Sequence, residues 1–213
     1  MCSAALWLDG QLESREALAG QRHSELLLPM VGELLAARAL EPRDLDGVAY
    51  GAGPGSFTGL RIACGVAQGI AYGAGIPVIG IGTLLALAHA AQAQQIVCCL
   101  DARMGEIYHA AYRLLDDGSW QEVCEPSLCH PAAAPQLPAG AWMGCGSGFN
   151  VHRPVLAERY AGCLAGVIEG IAPHANEVAG LAALEFACGH AIAAADAMPL
   201  YVRNKVALRV DER

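Results

Sequence analysis

Ser56 and Arg61 flank the end of an unusual run, Gly51-Ala52-Gly53-Pro54-Gly55-Ser56-Phe57-Thr58-Gly59. Glycines let a backbone take positive φ and gather its N–H groups on one side. A helix N-terminus just beyond would add a partial positive charge. The pattern suits an anion, or the close approach of another backbone. It lacks the Gly-Lys-Ser/Thr ending of a P-loop and the glycine spacing of a dinucleotide fold, so a plain structural turn is the competing reading. Ser56 imitates a nucleophile only superficially: Gly-Ser-Phe is not the Gly-x-Ser-x-Gly elbow, and no His/Asp partner can be assigned. Asp101, Arg103 and Glu106 cluster where one apolar segment ends and the next begins. A carboxylate at a strand end can bind magnesium or orient a ligand. Pairing of Asp101 with Arg103, or capping of the turn, is the alternative. Arg61 can reach a phosphate or a neighbour's carboxylate, or close a salt bridge on its own surface. The seven histidines form no i,i+4 pair and join no Cys/His cluster, which argues against a hydrolytic metal site.

These residues depend on the elements around them. Residues 4–8 read as a strand, Asp9-Gly10 as a hairpin turn, and residues 11–19 as the antiparallel partner. Apolar residues at helical spacing over residues 24–39 predict a helix, with Leu27, Met30, Val31 and Leu34 on one face. That face either packs on the chain's own core or meets a second protein. A strand over 47–50 leads into the glycine turn, and a helix over 58–75 follows. Gly65, Gly69 and Gly73 lie four apart in it, making a smooth strip for close approach of another helix or sheet. Strands are read over 77–81, 96–100, 107–114, 121–124 and 141–144, and helices over 83–93 and 176–195. Residues 126–140 carry no clear signal. A soft boundary divides residues 1–97 from 98–213, two halves of similar α/β character.

Composition bounds the function. The 213 residues are 54% apolar and 16% charged, enough for a large core and against disorder. Net charge is −8 and Lys205 is the single lysine, a poor basis for gripping nucleic acid alone. Nine scattered cysteines without a Cys-x-x-Cys pair read as reduced thiols of a cytoplasmic protein. Residues 62–100 lack Asp, Glu, Lys and Arg, yet Gly/Ala richness, Gln68 and Pro77 argue for helix, buried strand and helix rather than a membrane span.

Four segments taken together resemble the bacterial TsaB family, also called YeaZ. They are Tyr50 through Arg61, Gly65-Val66-Ala67-Gln68-Gly69, Asp101-Ala102-Arg103-Met104-Gly105-Glu106-Ile107-Tyr108, and Pro199-Leu200-Tyr201-Val202-Arg203-Asn204-Lys205-Val206-Ala207. His23-Ser24-Glu25 followed by Leu28-Pro29-Met30 is similar to that family's first helix. The resemblance implies an actin/Hsp70-like (ribonuclease H-like) fold of two related α/β lobes. It implies a non-catalytic role in adding threonylcarbamoyl to the adenosine next to the tRNA anticodon, through binding of the catalytic paralogue TsaD. The ATPase TsaE joins them, and tRNA is met only through the complex. An older glycoprotease label of the relatives does not imply proteolysis. An independent nucleotide-binding or ATP-hydrolysing protein of the same fold is the alternative.

On this reading the chain has no catalytic residue, metal or cofactor of its own, and any ATP or ADP sits at the partner interface. Gly53, Gly55, Ser56, Thr58, Arg61, Asp101 and Arg103 are the candidate cleft residues. His23, Leu27, Met30, Val31, Leu34, Gly65 and Gly69 are the candidate partner surface, used for homodimerisation when the partner is absent. One departure stands out. The family carries a strand ahead of the segment matching Cys2-Ser3-Ala4-Ala5-Leu6-Trp7, and this chain starts at Met1. Its absence predicts unpaired strand edges and open apolar surface in the first lobe.

Overall fold

The structure, a computed structural model, describes residues 1–20 and 22–202. Residues 203–207 of the fourth motif therefore lie outside the described residues. Strand β1 (Cys2–Leu8) turns at Asp9 and Gly10, both at positive φ (50° and 77°), and pairs antiparallel with β2 (Gln11–Ala17). Two successive positive-φ residues give the turn whose twist matches a hairpin. Alternation along β1 buries Cys2, Ala4 and Leu6 against Met30, Leu34 and Leu35 of helix α1 (His23–Ala37). Strand β3 (Val48–Gly53), helix α2 (Phe57–Ala74) and strand β4 (Val78–Gly82) form a parallel β–α–β unit. Gly75 ends α2 in the left-handed conformation, φ 71°.

After helix α3 (Thr83–Ala91) comes a five-stranded sheet of order β7-β6-β5-β8-β9. It contains β5 (Gln95–Arg103), β6 (Glu106–Leu114), β7 (Trp120–Cys129), β8 (Trp142–Cys145) and β9 (Leu164–Ile168). The β5–β6–β7 meander is antiparallel, and β8 and β9 run parallel to β5. Helix α4 (Ser147–Arg159) packs beneath it through Phe149 and Leu156. Helix α5 (Ala175–Ala187) leaves this lobe and returns to the first, where Leu181 and Ala182 pack on Ile79 and Ile81. The charge-free run thus resolves into α2, β4, α3 and most of β5, and no helix among the described residues is long and apolar enough to cross a membrane.

Strand β5 (Gln95–Arg103) spans the soft division between residues 97 and 98. One expectation needs correction. The last helix stops at Ala187 rather than 195, because Gly189 at φ 78° turns the chain out of it. Helix α4 and strand β9 were not anticipated. Pro154 and a kink at His152 (φ −119°) break the helical period of α4, and Gly166 interrupts β9.

Among the described residues, β1–β2 and β3–β4 are separate two-stranded sheets. Between them lies a cavity of about 780 Å³, lined by all of β1, by residues 48–51 of β3, and by side chains from α1, α2 and α5.

Candidate functional site

The glycine turn is built by the end of β3 and the start of α2. Ser56 caps that helix, its hydroxyl accepting the Gly59 N–H at 3.4 Å. Gly53 has φ 124°, and a Cβ there would stand 2.7 Å from the Leu200 carbonyl oxygen. The backbone that comes close is thus the chain's own. Leu200 donates its N–H to the Ala52 carbonyl at 2.7 Å.

Leu200 belongs to a strap that follows α5 and crosses the first lobe. Ile192 and Val78 exchange two backbone hydrogen bonds of 2.9 Å each. Gln68 donates Nε2–H to the Ala194 carbonyl at 3.0 Å. The Tyr50 hydroxyl donates to the Met198 carbonyl and accepts the Met198 N–H, both at 3.0 Å. Burial is the main cause of a raised Tyr50 pKa, which keeps this phenol protonated. Arg61 donates Nε–H to the Tyr201 hydroxyl at 2.9 Å and lies 3.9 Å above the Phe57 ring. Arg61 is therefore engaged within the chain, by a phenol and an aromatic ring rather than a carboxylate. The strap anchors Tyr50 and Tyr201 were read only as parts of motifs, because their partners lie far away in sequence.

Asp101 and Arg103 occupy the β5–β6 corner. Asp101 Oδ1 accepts the Arg103 N–H at 3.0 Å, and Oδ2 lies 3.6 Å from the Arg103 guanidinium. Ser147 at the start of α4 accepts the Asp101 N–H through Oγ at 3.0 Å, and His152 Nε2 lies 4.0 Å from Asp101 Oδ1. Asp101 thus organises the turn and pairs with Arg103. Among the described residues, these groups share no hydrogen bond or ion pair with Arg61 or Ser56. No group of three or more His, Cys, Asp or Glu among the described residues is arranged to hold a metal ion. Gly55 and Ser56 line the first-lobe cavity, and Thr58 is exposed on the first turn of α2.

The surface expected on α1 is corrected in part. Met30 and Leu34 are buried in the chain's own core, and Leu27 and Val31 pack against it. The apolar stripe faces inward because β1 presents Cys2, Ala4 and Leu6 to it. His23 is half-buried and lines the cavity. A carboxylate at Leu27 or Val31 would perturb this lobe's own packing. Helix α2 behaves differently. Cys64, Ala67 and Ala71 face inward, while Gly65, Gly69 and Gly73 face outward with nothing within 4 Å of an added Cβ.

The family model described as "TsaD: tRNA N6-adenosine threonylcarbamoyltransferase" matches residues 16–184. The Escherichia coli (strain K12) "tRNA threonylcarbamoyladenosine biosynthesis protein TsaB" is 37% identical over 215 residues, covering 97% of this chain and 91% of that protein. The Haemophilus influenzae protein of the same name is 35% identical over 217 residues, covering 96% and 90%. A solved structure of YeaZ from Pseudomonas aeruginosa superposes with a TM-score of 0.85 at 33% identity, covering 94% of this chain and 93% of that one. The likeness runs through both lobes, and the actin/Hsp70-like α/β fold comes with it. On this similarity the chain belongs to the TsaB (YeaZ) family, within the wider group that the TsaD family model describes.

Proposed function

We propose that this protein works in making threonylcarbamoyladenosine in tRNA, as a subunit that docks on a TsaD-type catalytic paralogue and supplies no reacting group. The outward strip of α2 carries the reading. Each interior glycine costs a helix about 1 kcal/mol relative to alanine. Gly65, Gly69 and Gly73 have no neighbour within the chain that a Cβ would strike, so this fold gives no steric reason for them. A second helix lying close against α2 supplies one. The relatives' names speak of this biosynthesis, and the match to the TsaD family model supports a partner built on a related fold.

The remaining features support the same role. Ser56 is a helix cap, and the glycine turn is closed on one side by the strap. A net charge of −8 leaves tRNA to be held by the other subunits. An ATPase of the TsaE type joins the pair, and ATP or ADP binds where the subunits meet. Without its paralogue the same strip pairs two copies of this chain. The working compartment is the cytoplasm.

The test is Gly65→Leu combined with Gly69→Leu, measured by calorimetry against the TsaD-type paralogue. Because both positions are exposed and open, circular dichroism should be unchanged while affinity falls at least tenfold, the scale of a central interface residue. Wild-type affinity in the folded double variant would remove this surface from the reading.

A further inference from the structure

On the docking reading just given, we propose that Arg61 is the charged anchor of the surface, and that its counterpart is one carboxylate side chain of the catalytic paralogue. Arg61 stands alone electrically. Across residues 47–100 it is the single Asp, Glu, Lys or Arg in the sequence. Among the described residues no carboxylate forms an ion pair with it. Helix α2 gives no reason for a cation so near its N-terminal end, which carries partial positive charge of its own. Yet the guanidinium is held in place. Its central carbon lies 3.9 Å from the centre of the Phe57 ring and 5.9 Å from that of Tyr201. Its Nε–H is taken by the Tyr201 hydroxyl at 2.9 Å. The two Nη groups remain, and their end-on edge offers two parallel N–H bonds at the spacing of a carboxylate's two oxygens. A side chain ordered beforehand loses less entropy when it binds.

The position of Arg61 names the partner. Thr58, Arg61, Gly65, Gly69 and Tyr72 are exposed and recur every three or four residues, so they form one outward stripe of α2. One helical turn rises about 5.4 Å. Arg61 is therefore one turn from Gly65, and a helix seated on Gly65 and Gly69 brings a side chain within its reach. Phe57 and Tyr201 add exposed apolar surface beside the guanidinium. A helix laid there takes water away from the charge. A buried cation left unpaired is strongly unfavourable, whereas an acid in register compensates it. The two features divide the work of recognition. The glycines select a partner that can come close, and Arg61 rejects one without a carboxylate at the matching place. A lysine would bring the charge without the flat face or the fork.

The test is calorimetry of the whole chain against the TsaD-type paralogue at low and high salt. Arg61→Gln should weaken binding about tenfold at low salt. The gap from wild type should narrow at ~0.5 M NaCl, where charge attraction is screened. Arg61→Lys should recover only part of the loss. Tyr201→Phe loosens the strap but keeps the charge, so it should lose less than Arg61→Gln and retain the wild-type salt dependence. Each surface Asp and Glu of the paralogue is then changed to Asn or Gln. One of these changes should weaken wild type as much as Arg61→Gln does, and should have no further effect on the Arg61→Gln variant. Wild-type affinity in Arg61→Gln, beside lost affinity in Gly65→Leu with Gly69→Leu, overturns the anchor and leaves the docking reading standing. Wild-type affinity in both overturns that reading and the anchor with it. A loss equal at both salt concentrations, or one that no acidic replacement shares, overturns the carboxylate.

Discussion

Arg61 and Tyr201, 140 residues apart, are joined by a hydrogen bond of 2.9 Å from the guanidinium Nε to the phenol oxygen. Phe57 sits beneath the same guanidinium and 5.7 Å from the Tyr201 ring. The strap is thereby pinned to the first turn of α2, beside the surface proposed to meet a partner.

Tyr201→Phe keeps the ring and removes the hydrogen bond. A bond to a charged donor contributes about 1.5–3 kcal/mol, and less where it is exposed to water. Limited proteolysis should cut residues 190–202 several-fold faster in this variant, with little change in global unfolding. Arg61→Ala also loses the stacking on Phe57 and should show the larger effect.

Gly65→Ala separates stability from docking. An added methyl at Gly65 meets nothing within 4 Å, so helix propensity alone should act. The isolated chain should gain about 0.5–1 kcal/mol in denaturant unfolding. Partner affinity should fall in the same variant. A gain in both would show that the helix has no close-packed partner on this side.

Gly53→Ala meets two penalties. At φ 124° a side chain is strained, and its Cβ would press on the Leu200 carbonyl oxygen. The cost should be about 1–3 kcal/mol, with the Leu200–Ala52 hydrogen bond lost first. Exchange of the Leu200 amide should rise before any global unfolding.

His109 makes the second lobe sensitive to acid. It is fully buried beside Tyr160, and neither ring nitrogen has a hydrogen-bond partner. Burial, aided by the Arg159 charge, lowers its pKa from 6.5 to about 4. Between those values the unfolded chain binds a proton that the folded chain does not. Stability therefore falls as pH drops through this window, by about 3 kcal/mol in total at 1.36 kcal/mol per unit. Above pH 6.5 and below about 4 this contribution is flat. His109→Leu should remove that slope in urea unfolding measured from pH 7 to 4. An unchanged slope would assign the acid sensitivity elsewhere.

The thiols should divide by access. Cys98, Cys99 and Cys145 are fully buried, and burial raises the Cys98 and Cys99 pKa values well above the ordinary thiol value. Cys188 alone of the nine is exposed. Alkylation of the native protein at neutral pH should label Cys188 first, with Cys98, Cys99 and Cys145 labelled only on unfolding.

The local grammar of the chain was legible. Asp9-Gly10 marked a hairpin because its backbone angles are a property of those two residues. The apolar periods of α1 and α2 were equally plain, and the ordered motifs led to the family. The kinked α4 and short β9 lacked such a period, and neither could be read.

What the sequence determined by itself was therefore the set of elements with regular spacing, and the family. Only the tertiary structure decided where their faces point. It turned the stripe of α1 onto β1 and left the glycines of α2 outward. It joined Arg61 to Tyr201 and laid Leu200 across Gly53. The reason is physical. A turn or a cap is specified by neighbouring residues, whereas Tyr50 and Met198, 148 residues apart, meet only when the whole chain is packed.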